Sequence, residues 1–90
     1  MDIRQHVFDA INRERTYQDH KWGGIADHPH TVAEWILILE SELQEAKKAW
    51  VHGKGDAAAL CEILQVAAVA VATLEQHGCV GRDDLCPHAD

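Results

Sequence analysis

The most constraining feature of this 90-residue chain is a long apolar segment near its carboxyl end. Between Glu62 and Glu75 the only polar side chains are Gln65 and Thr73, and the pattern predicts a helix from about 57 to 77. A helix that is apolar on almost every side must be covered on several sides. Two other helices from so short a chain cannot easily provide that cover. We therefore predict that partner subunits complete a helical bundle.

Two patterns upstream predict the helices that pack on this segment. Thr31 and Glu34 have the spacing of a capping box, so a second helix should begin there and run to about His52. A first helix is expected from about residue 2 to 17 or a little beyond, followed by a glycine- and histidine-rich loop over about 20 to 30. The predicted fold class is all-α, with three main helices per chain in a bundle that is completed by oligomerisation.

Each predicted helix has an expected arrangement of apolar and polar residues. Asp56 is expected to cap helix three, Gly78 to end it, and Glu14 to point away from the apolar stripe of helix one. Residues 1–78 would form the helical domain and 79–90 an irregular tail. The residues expected to face the core are Ile3, Val7, Ala10 and Ile11 on helix one, and Trp35, Ile36, Leu39, Leu43, Ala46 and Trp50 on helix two.

Charge and composition limit the classes of function. Fifteen acidic residues against eight basic ones give a formal net charge of −7, which argues against a nucleic-acid surface. Residues 1–6 lack the apolar run of a secretory signal, and the longest apolar stretch, 66–72, is too short to cross a bilayer. A cytoplasmic protein is expected. The odd number of cysteines favours reduced thiols over a disulfide framework, and they are Cys61, Cys79 and Cys86.

Acidic and amide side chains at helical spacing suggest a metal site. Glu42 and Glu45 are three residues apart on helix two, and Glu62 and Gln65 have the same spacing on helix three. Residues three apart share one face of a helix, so the four side chains converge if the helices form a hairpin. Oxygen ligands gathered in this way suit Mg²⁺, and a hard cation in a helical cleft suggests phosphate chemistry.

On the helical wheel, Glu42 falls inside the apolar arc of helix two and Glu45 at its edge, where an ionised carboxylate is costly unless it is paired or bound to metal. The alternative is that these acids lie at the edge of the core and pair with lysine or arginine. Glu62 has no basic residue on its own helix, and Lys47 and Lys48 are expected to project from the other side of helix two. Clustered carboxylates repel one another, and a divalent cation relieves that repulsion. The remaining acids of helices two and three are expected to be ordinary surface residues, namely Glu34, Glu40 and Glu75.

The order of these segments resembles a known family. Glu42-x-x-Glu45 followed by Glu62-x-x-Gln65 is similar to the Glu-x-x-Glu and Glu-x-x-Asp motifs of the MazG-like, all-α nucleoside triphosphate pyrophosphohydrolases. The segment from Glu14 to Gly23 and the alanine- and valine-rich run from Gln65 to Ala72 resemble phage-type and mobile-element members. The resemblance covers roughly residues 3 to 77.

The resemblance implies an activity, a cofactor and partners. It implies dimers or dimers of dimers that cleave nucleoside triphosphates to a monophosphate and pyrophosphate, which would clear unwanted nucleotides. It makes Glu42, Glu45 and Glu62 catalytic, and these acids with Gln65 the ligands of Mg²⁺ or Mn²⁺. Gln65 replaces the family's aspartate and brings no charge. The alternatives are an inactive helical module that binds a nucleotide or protein partner, and a purely structural oligomerisation domain.

Three further side chains are candidate substrate contacts. Lys21 would meet a phosphate and Trp22 would stack on a base, although a solvated lysine beside a packing tryptophan fits equally well. Trp50 follows Glu45 at a position where the family often has an aromatic residue near the base, but packing at the end of helix two is the favoured role. Trp35 is expected in the core. The histidines of the loop match no compact zinc motif.

Overall fold

Three α-helices joined by short connections make up the described part of the chain. A computed structural model describes residues 2–53 and 55–82. The helices are α1 (Ile3–Trp22), α2 (Val32–Val51) and α3 (Gly55–His77), and the described residues contain no strand. The prediction of an all-α fold with three helices is confirmed.

The ends of α1 and α2 have clear local causes. The Thr31 hydroxyl accepts from the Glu34 N–H at 3.1 Å, and the Glu34 carboxylate accepts from the Thr31 N–H at 2.8 Å, so the predicted capping box is confirmed. Helix α1 ends at Trp22, five residues beyond the predicted Tyr17. The first residue that stops it is Gly23, whose φ of 82° lies in the region that only glycine adopts freely.

Helix α3 begins earlier than the sequence suggested. Asp56 lies inside its first turn, so the prediction that Asp56 caps the helix is wrong, although a negative charge is favourable there. At the other end, Gly78 has a φ of 99° and its N–H donates to the Leu74 carbonyl at 2.8 Å. The predicted glycine stop is therefore confirmed.

Helix α3 lies at the centre of the arrangement. It packs against both α1 and α2, whereas α1 and α2 do not pack on each other within the described residues. The core is small: Trp35 of α2 meets Val69 and Ala72 of α3, which confirms the core position of Trp35. The partly buried side chains around this contact are Ile25, Ile38 and Leu39. The separation of α1 from α2 leaves a gap above α3.

The buried residues that attach α1 to α3 are polar, and only part of its apolar stripe is covered, since Ala10 and Ile11 are half-buried. Its buried residues are Arg15 and Gln18, whereas Ile3 is 79% exposed and Val7 is also exposed. The expectation that the apolar stripe faces the core is wrong for these two residues. Hydrogen bonds from the second half of α1 fix it on α3 and leave the apolar side chains of its first two turns in solvent.

Several large apolar side chains of α2 and α3 are exposed. An open groove between the two helices, which we call the α2–α3 groove, is lined by Leu43, Trp50 and Ile63. These side chains are 57%, 62% and 48% exposed, respectively. The expectation that Trp50 packs in the core is wrong for the single chain, and the same holds for Leu43 and Ile36. One chain therefore does not supply all the cover that the apolar surface of α3 requires.

Helix α3 is also long and apolar enough, by length and composition alone, to cross a membrane. The uninterrupted apolar run 66–72 is only the central part of this helix. The central helix of a helical bundle has the same length and composition, and therefore this property assigns no location.

Candidate functional site

A cavity of about 210 Å³ occupies the gap between α1 and α2. Val69 and Ala72 of α3 form its floor, and Trp35 forms part of the wall on the α2 side. The segment 23–31, which we call the α1–α2 loop, closes one end with five residues: Gly23, Gly24, Ile25, His28 and His30. The helices add the polar and aromatic side chains Arg15, Gln18, Asp19, Trp22 and Glu42.

Arg15 is a buried side chain of this cavity and the centre of an ion-pair network. Its Nε lies 2.6 Å from Glu75 Oε2, its Nη2 lies 3.3 Å from Glu75 Oε1, and its Nη1 lies 3.0 Å from Asp19 Oδ1. The hydrogen bonds that Arg15 donates to the Glu75 carboxylate raise the pKa of Arg15 above its ordinary value, despite burial. Glu75 is therefore not the ordinary surface acid that the sequence predicted.

Gln18 is the second buried polar side chain, with 5% of its surface exposed. Its Nε2 donates to the backbone carbonyl of Gln65 at 3.4 Å. The contact ties α1 to the turn of α3 that carries the half-buried Gln65. Sequence reasoning missed Arg15 and Gln18, although the two residues are three apart and therefore lie on one face of α1.

Glu42 lies at the edge of the cavity and is half-buried, as the helical wheel predicted. Burial raises the pKa of Glu42 above its ordinary value, the charges of Glu62, Glu45 and Glu14 raise it further, and Lys21 opposes them. Carboxylates of all three helices therefore share one electrostatic neighbourhood. An ionised Glu42 is destabilised there unless a cation approaches it.

Glu14 was not among the predicted site residues. The sequence placed it away from the apolar stripe of α1, but it is half-buried and its charge acts on Glu42 across the gap. The position of Glu14 could have been predicted from its spacing, because Gln18 follows four residues later on the same face of α1. Glu14 adds a carboxylate from α1 to those of α2 and α3.

The basic residues near these acids are few. Lys48 Nζ lies 3.5 Å from Glu45 Oε1, so the expectation that Lys48 projects from the other side of α2 is wrong. Both side chains are more than half exposed, and an ion pair of this kind stabilises little. Within residues 2–53 and 55–82, no basic group lies within ion-pair distance of Glu42 or Glu62.

The predicted ligands are three carboxylates and the amide of Gln65, and oxygen ligands of this kind suit a hard cation. Its positions do not yet form a ligand cage. In the described ranges, no three histidine, cysteine, aspartate or glutamate side chains are arranged to hold a metal ion. Binding of a cation would require rotation of the glutamate side chains toward a common point.

The candidate substrate contacts lie in two separate places. Lys21 Nζ is 4.9 Å from the centroid of the Trp22 ring and 5.9 Å from that of Tyr17. Trp22 lines the cavity, and Lys21 is close enough to influence Glu42. Trp50 instead lines the α2–α3 groove, so a single chain does not bring it together with Trp22.

Two of the three cysteines lie in the part of the chain that the structure describes. Cys61 and Cys79 are exposed free thiols, which agrees with the prediction for these two. Cys86 and the rest of the predicted tail from residue 83 onward lie outside the described residues, as does Lys54.

Comparison of the chain with protein-family models, curated proteins and solved structures finds no match. The assignment to the MazG-like family therefore stays a prediction from the motifs.

Proposed function

We propose that the protein is a Mg²⁺-dependent nucleoside triphosphate pyrophosphohydrolase of the MazG-like type. One observation carries the proposal. Glu42 is a half-buried carboxylate beside a cavity, surrounded by other carboxylates, and no basic group of the described residues lies within ion-pair distance of it. Carboxyl groups whose ionised form is disfavoured by burial and by neighbouring charges cluster at functional sites.

A divalent cation would remove this electrostatic cost. Glu42, Glu45, Glu62 and Gln65 would hold Mg²⁺ or Mn²⁺, and Glu14 is near enough to act on Glu42 electrostatically. When bound, such an ion neutralises phosphate charge and lowers the pKa of bound water. An acidic protein can bind a polyphosphate in this way because the cation reverses the sign of the local field.

The residues of the chain have distinct roles in this proposal. Lys21 meets a phosphate, and the Trp22 ring stacks on the base at the wall of the cavity. One carboxylate accepts a proton from the attacking water.

The size of the cavity favours one part of the substrate. Sites that enclose a whole drug-sized molecule measure about 300 to 1,000 Å³. The cavity of about 210 Å³ is smaller, and its floor and much of its wall are apolar. It suits a nucleobase, while the phosphates extend past Glu42 toward the other acids.

The exposed apolar groove favours a second copy of the chain as partner. Leu43, Trp50 and Ile63 lie together on α2 and α3, and α3 is apolar on nearly every side. A homodimer or a dimer of dimers would cover these side chains. In such an assembly, Trp50 would reach a substrate only if the partner placed it near the cavity. The proposed location is the cytoplasm, where the protein would remove unwanted nucleotides.

A non-catalytic module is the alternative function. Gln65 stands where the family has an aspartate, and the described side chains form no ligand cage for a metal. In this alternative the cavity binds a nucleotide or a protein segment without hydrolysis. An oligomerisation domain without any ligand is the remaining possibility.

The decisive experiment measures pyrophosphate release from a panel of ribo- and deoxynucleoside triphosphates with Mg²⁺. We expect release by the wild type and a decrease of about a hundredfold or more in Glu42→Gln and Glu62→Gln. Glu40→Gln is the matched control, because Glu40 is an exposed acid on the same helix as Glu42.

The other outcomes distinguish the alternatives. Mg²⁺-dependent nucleotide binding without pyrophosphate release supports the non-catalytic module. Absence of both binding and release leaves the oligomerisation domain. Equal release by wild type and Glu42→Gln contradicts the assignment of Glu42 to the site.

A further inference from the structure

The α1–α2 loop is tied to the last turn of α3 by one amide side chain. Gln76 Oε1 accepts from the His30 N–H at 3.1 Å and from the Trp35 indole Nε1–H at 2.9 Å. Gln76 Nε2 donates to the His30 carbonyl at 2.6 Å. The Gln76 amide thus pairs with the backbone of His30 as another peptide group would, and it holds the indole of Trp35 at the same time.

Two further contacts hold His30 in the same place. His77 Nε2 lies 2.9 Å from the same His30 carbonyl. The His30 ring meets the Trp35 ring edge to face, with centroids 4.8 Å apart. In the part of the chain that the structure describes, Gln76 and His77 make the hydrogen bonds that join the loop to α3.

The rest of the loop has only local support and one apolar anchor. Its internal hydrogen bonds form a single turn, in which the Gly24 carbonyl accepts from the N–H groups of Asp27 and His28. Ile25 packs against the core cluster. The His28 ring folds back over Gly23, where an added Cβ would be 3.0 Å from the ring. The position of the loop over α3 therefore depends on Ile25 at one end and on Gln76, with His77 beside it, at the other.

The same loop forms one end of the cavity. His28 and His30 line it, and Trp35, which Gln76 also holds, is part of its wall. Gln76 itself does not line the cavity. Any effect of Gln76 on a bound ligand must therefore pass through His30 and Trp35.

We propose that Gln76 is a positioning residue that holds the α1–α2 loop and Trp35 in place and thereby sets the shape of the cavity. Gln76 is not one of the proposed ligands of the cation, and it does not line the cavity itself. Where substrate turnover is concerned, this inference rests on the proposed function. The placement of the loop is independent of any ligand and is tested without one.

The first experiment compares backbone hydrogen exchange and the Trp35 indole resonance in wild type and Gln76→Met. Methionine keeps the length of the side chain and removes its hydrogen bonds. We expect exchange at the loop amides to become about tenfold faster, with the central turns of the three helices unchanged. The Trp35 indole resonance should shift, because its N–H loses its acceptor.

A conservative variant separates the two functions of the amide. Gln76→Glu keeps an acceptor for the His30 N–H and the Trp35 indole but has no donor for the His30 carbonyl. It should keep the hydrogen bond of the Trp35 indole, unlike Gln76→Met, and loosen the loop to a smaller extent. The matched control is Gln5→Met, since Gln5 makes one exposed side-chain hydrogen bond on α1.

The second experiment measures KM and kcat for the nucleoside triphosphate that the wild type cleaves best. Gln76→Met should raise KM about tenfold while kcat changes less than about threefold, because the shape of the cavity changes and the carboxylates do not. Unchanged loop exchange in Gln76→Met would overturn the inference, and so would equally faster exchange in all three helices. If the wild type cleaves no nucleotide, the proposed function fails while the exchange comparison still decides the role of Gln76.

Discussion

Arg15 and Glu75 are 60 residues apart in the sequence and form a two-point ion pair between α1 and α3. The side chain of Arg15 is 8% exposed and that of Glu75 is 46% exposed. Burial of a guanidinium is costly unless its donors are satisfied, and here Glu75 and Asp19 satisfy them. The pair therefore fixes the position of α1, on which the width of the cavity depends.

The ion pair should contribute measurably to stability. In a double-mutant cycle of Arg15→Met and Glu75→Gln, we expect a coupling free energy of about 1 to 3 kcal/mol from denaturant unfolding, because one partner is buried. The control cycle is Lys48→Gln with Glu45→Gln. That exposed pair should couple by less than about 0.5 kcal/mol. Equal coupling in the two cycles would show that burial of Arg15 adds nothing.

Neutralising Glu42 should stabilise the protein when Mg²⁺ is absent. The pKa of Glu42 is higher in the folded state than in the unfolded chain, so the folded state binds the proton of the Glu42 carboxyl group more tightly. Stability from this group therefore falls as pH rises from the ordinary carboxyl value of about 4.3 through the raised value, and the full cost applies above it. At neutral pH, Glu42→Gln should raise the free energy of unfolding by about 0.5 to 1 kcal/mol.

The pH dependence of unfolding checks the cause of this gain. The advantage of Glu42→Gln over wild type should be small at pH 4 and grow toward pH 7, whereas Glu40→Gln should change little, because Glu40 is exposed. An advantage that does not vary with pH would point to packing and not to charge.

Replacing Gln65 by aspartate should improve Mg²⁺ binding. The change Gln65→Asp adds a fourth negative charge to the proposed ligand set, and affinity for hard cations increases with ligand charge. We expect the Kd for Mg²⁺ by calorimetry to fall about tenfold, and Tm without Mg²⁺ to fall because the added charge has no cation. Asn12→Asp adds a charge at an exposed position of α1 and is the control. Unchanged affinity in Gln65→Asp would place Gln65 outside the metal site.

The α2–α3 groove should mediate self-association. A charge placed in the groove by Leu43→Glu or Ile63→Glu should lower the mass measured by light scattering to that of a single chain, because an unpaired carboxylate is costly in a buried interface. Ile3→Glu changes an apolar residue that is 79% exposed on α1 and should leave the mass unchanged. A wild type that is monomeric at high concentration would contradict the proposed partner.

Local sequence signals predicted the helices well because their causes are local. The reciprocal hydrogen bonds of Thr31 and Glu34 depend on a spacing of three residues, and the stop at Gly78 depends on one backbone conformation. The half-buried position of Glu42 followed from helical periodicity alone. The prediction failed at Trp22, where α1 continued past the expected end because nothing before Gly23 interrupts it.

The sequence by itself determined three helices, an apolar α3 and the spacing of the acids, since each of these is a property of neighbouring residues. Only the tertiary structure decided that Arg15 and Gln18 are buried, that Glu14 acts on Glu42, and that α1 and α2 stand apart over a cavity. The physical reason is that a polar side chain is buried where a partner satisfies it. The partners on α3 that hold Arg15 and Gln18 lie 60 and 47 positions away in the chain.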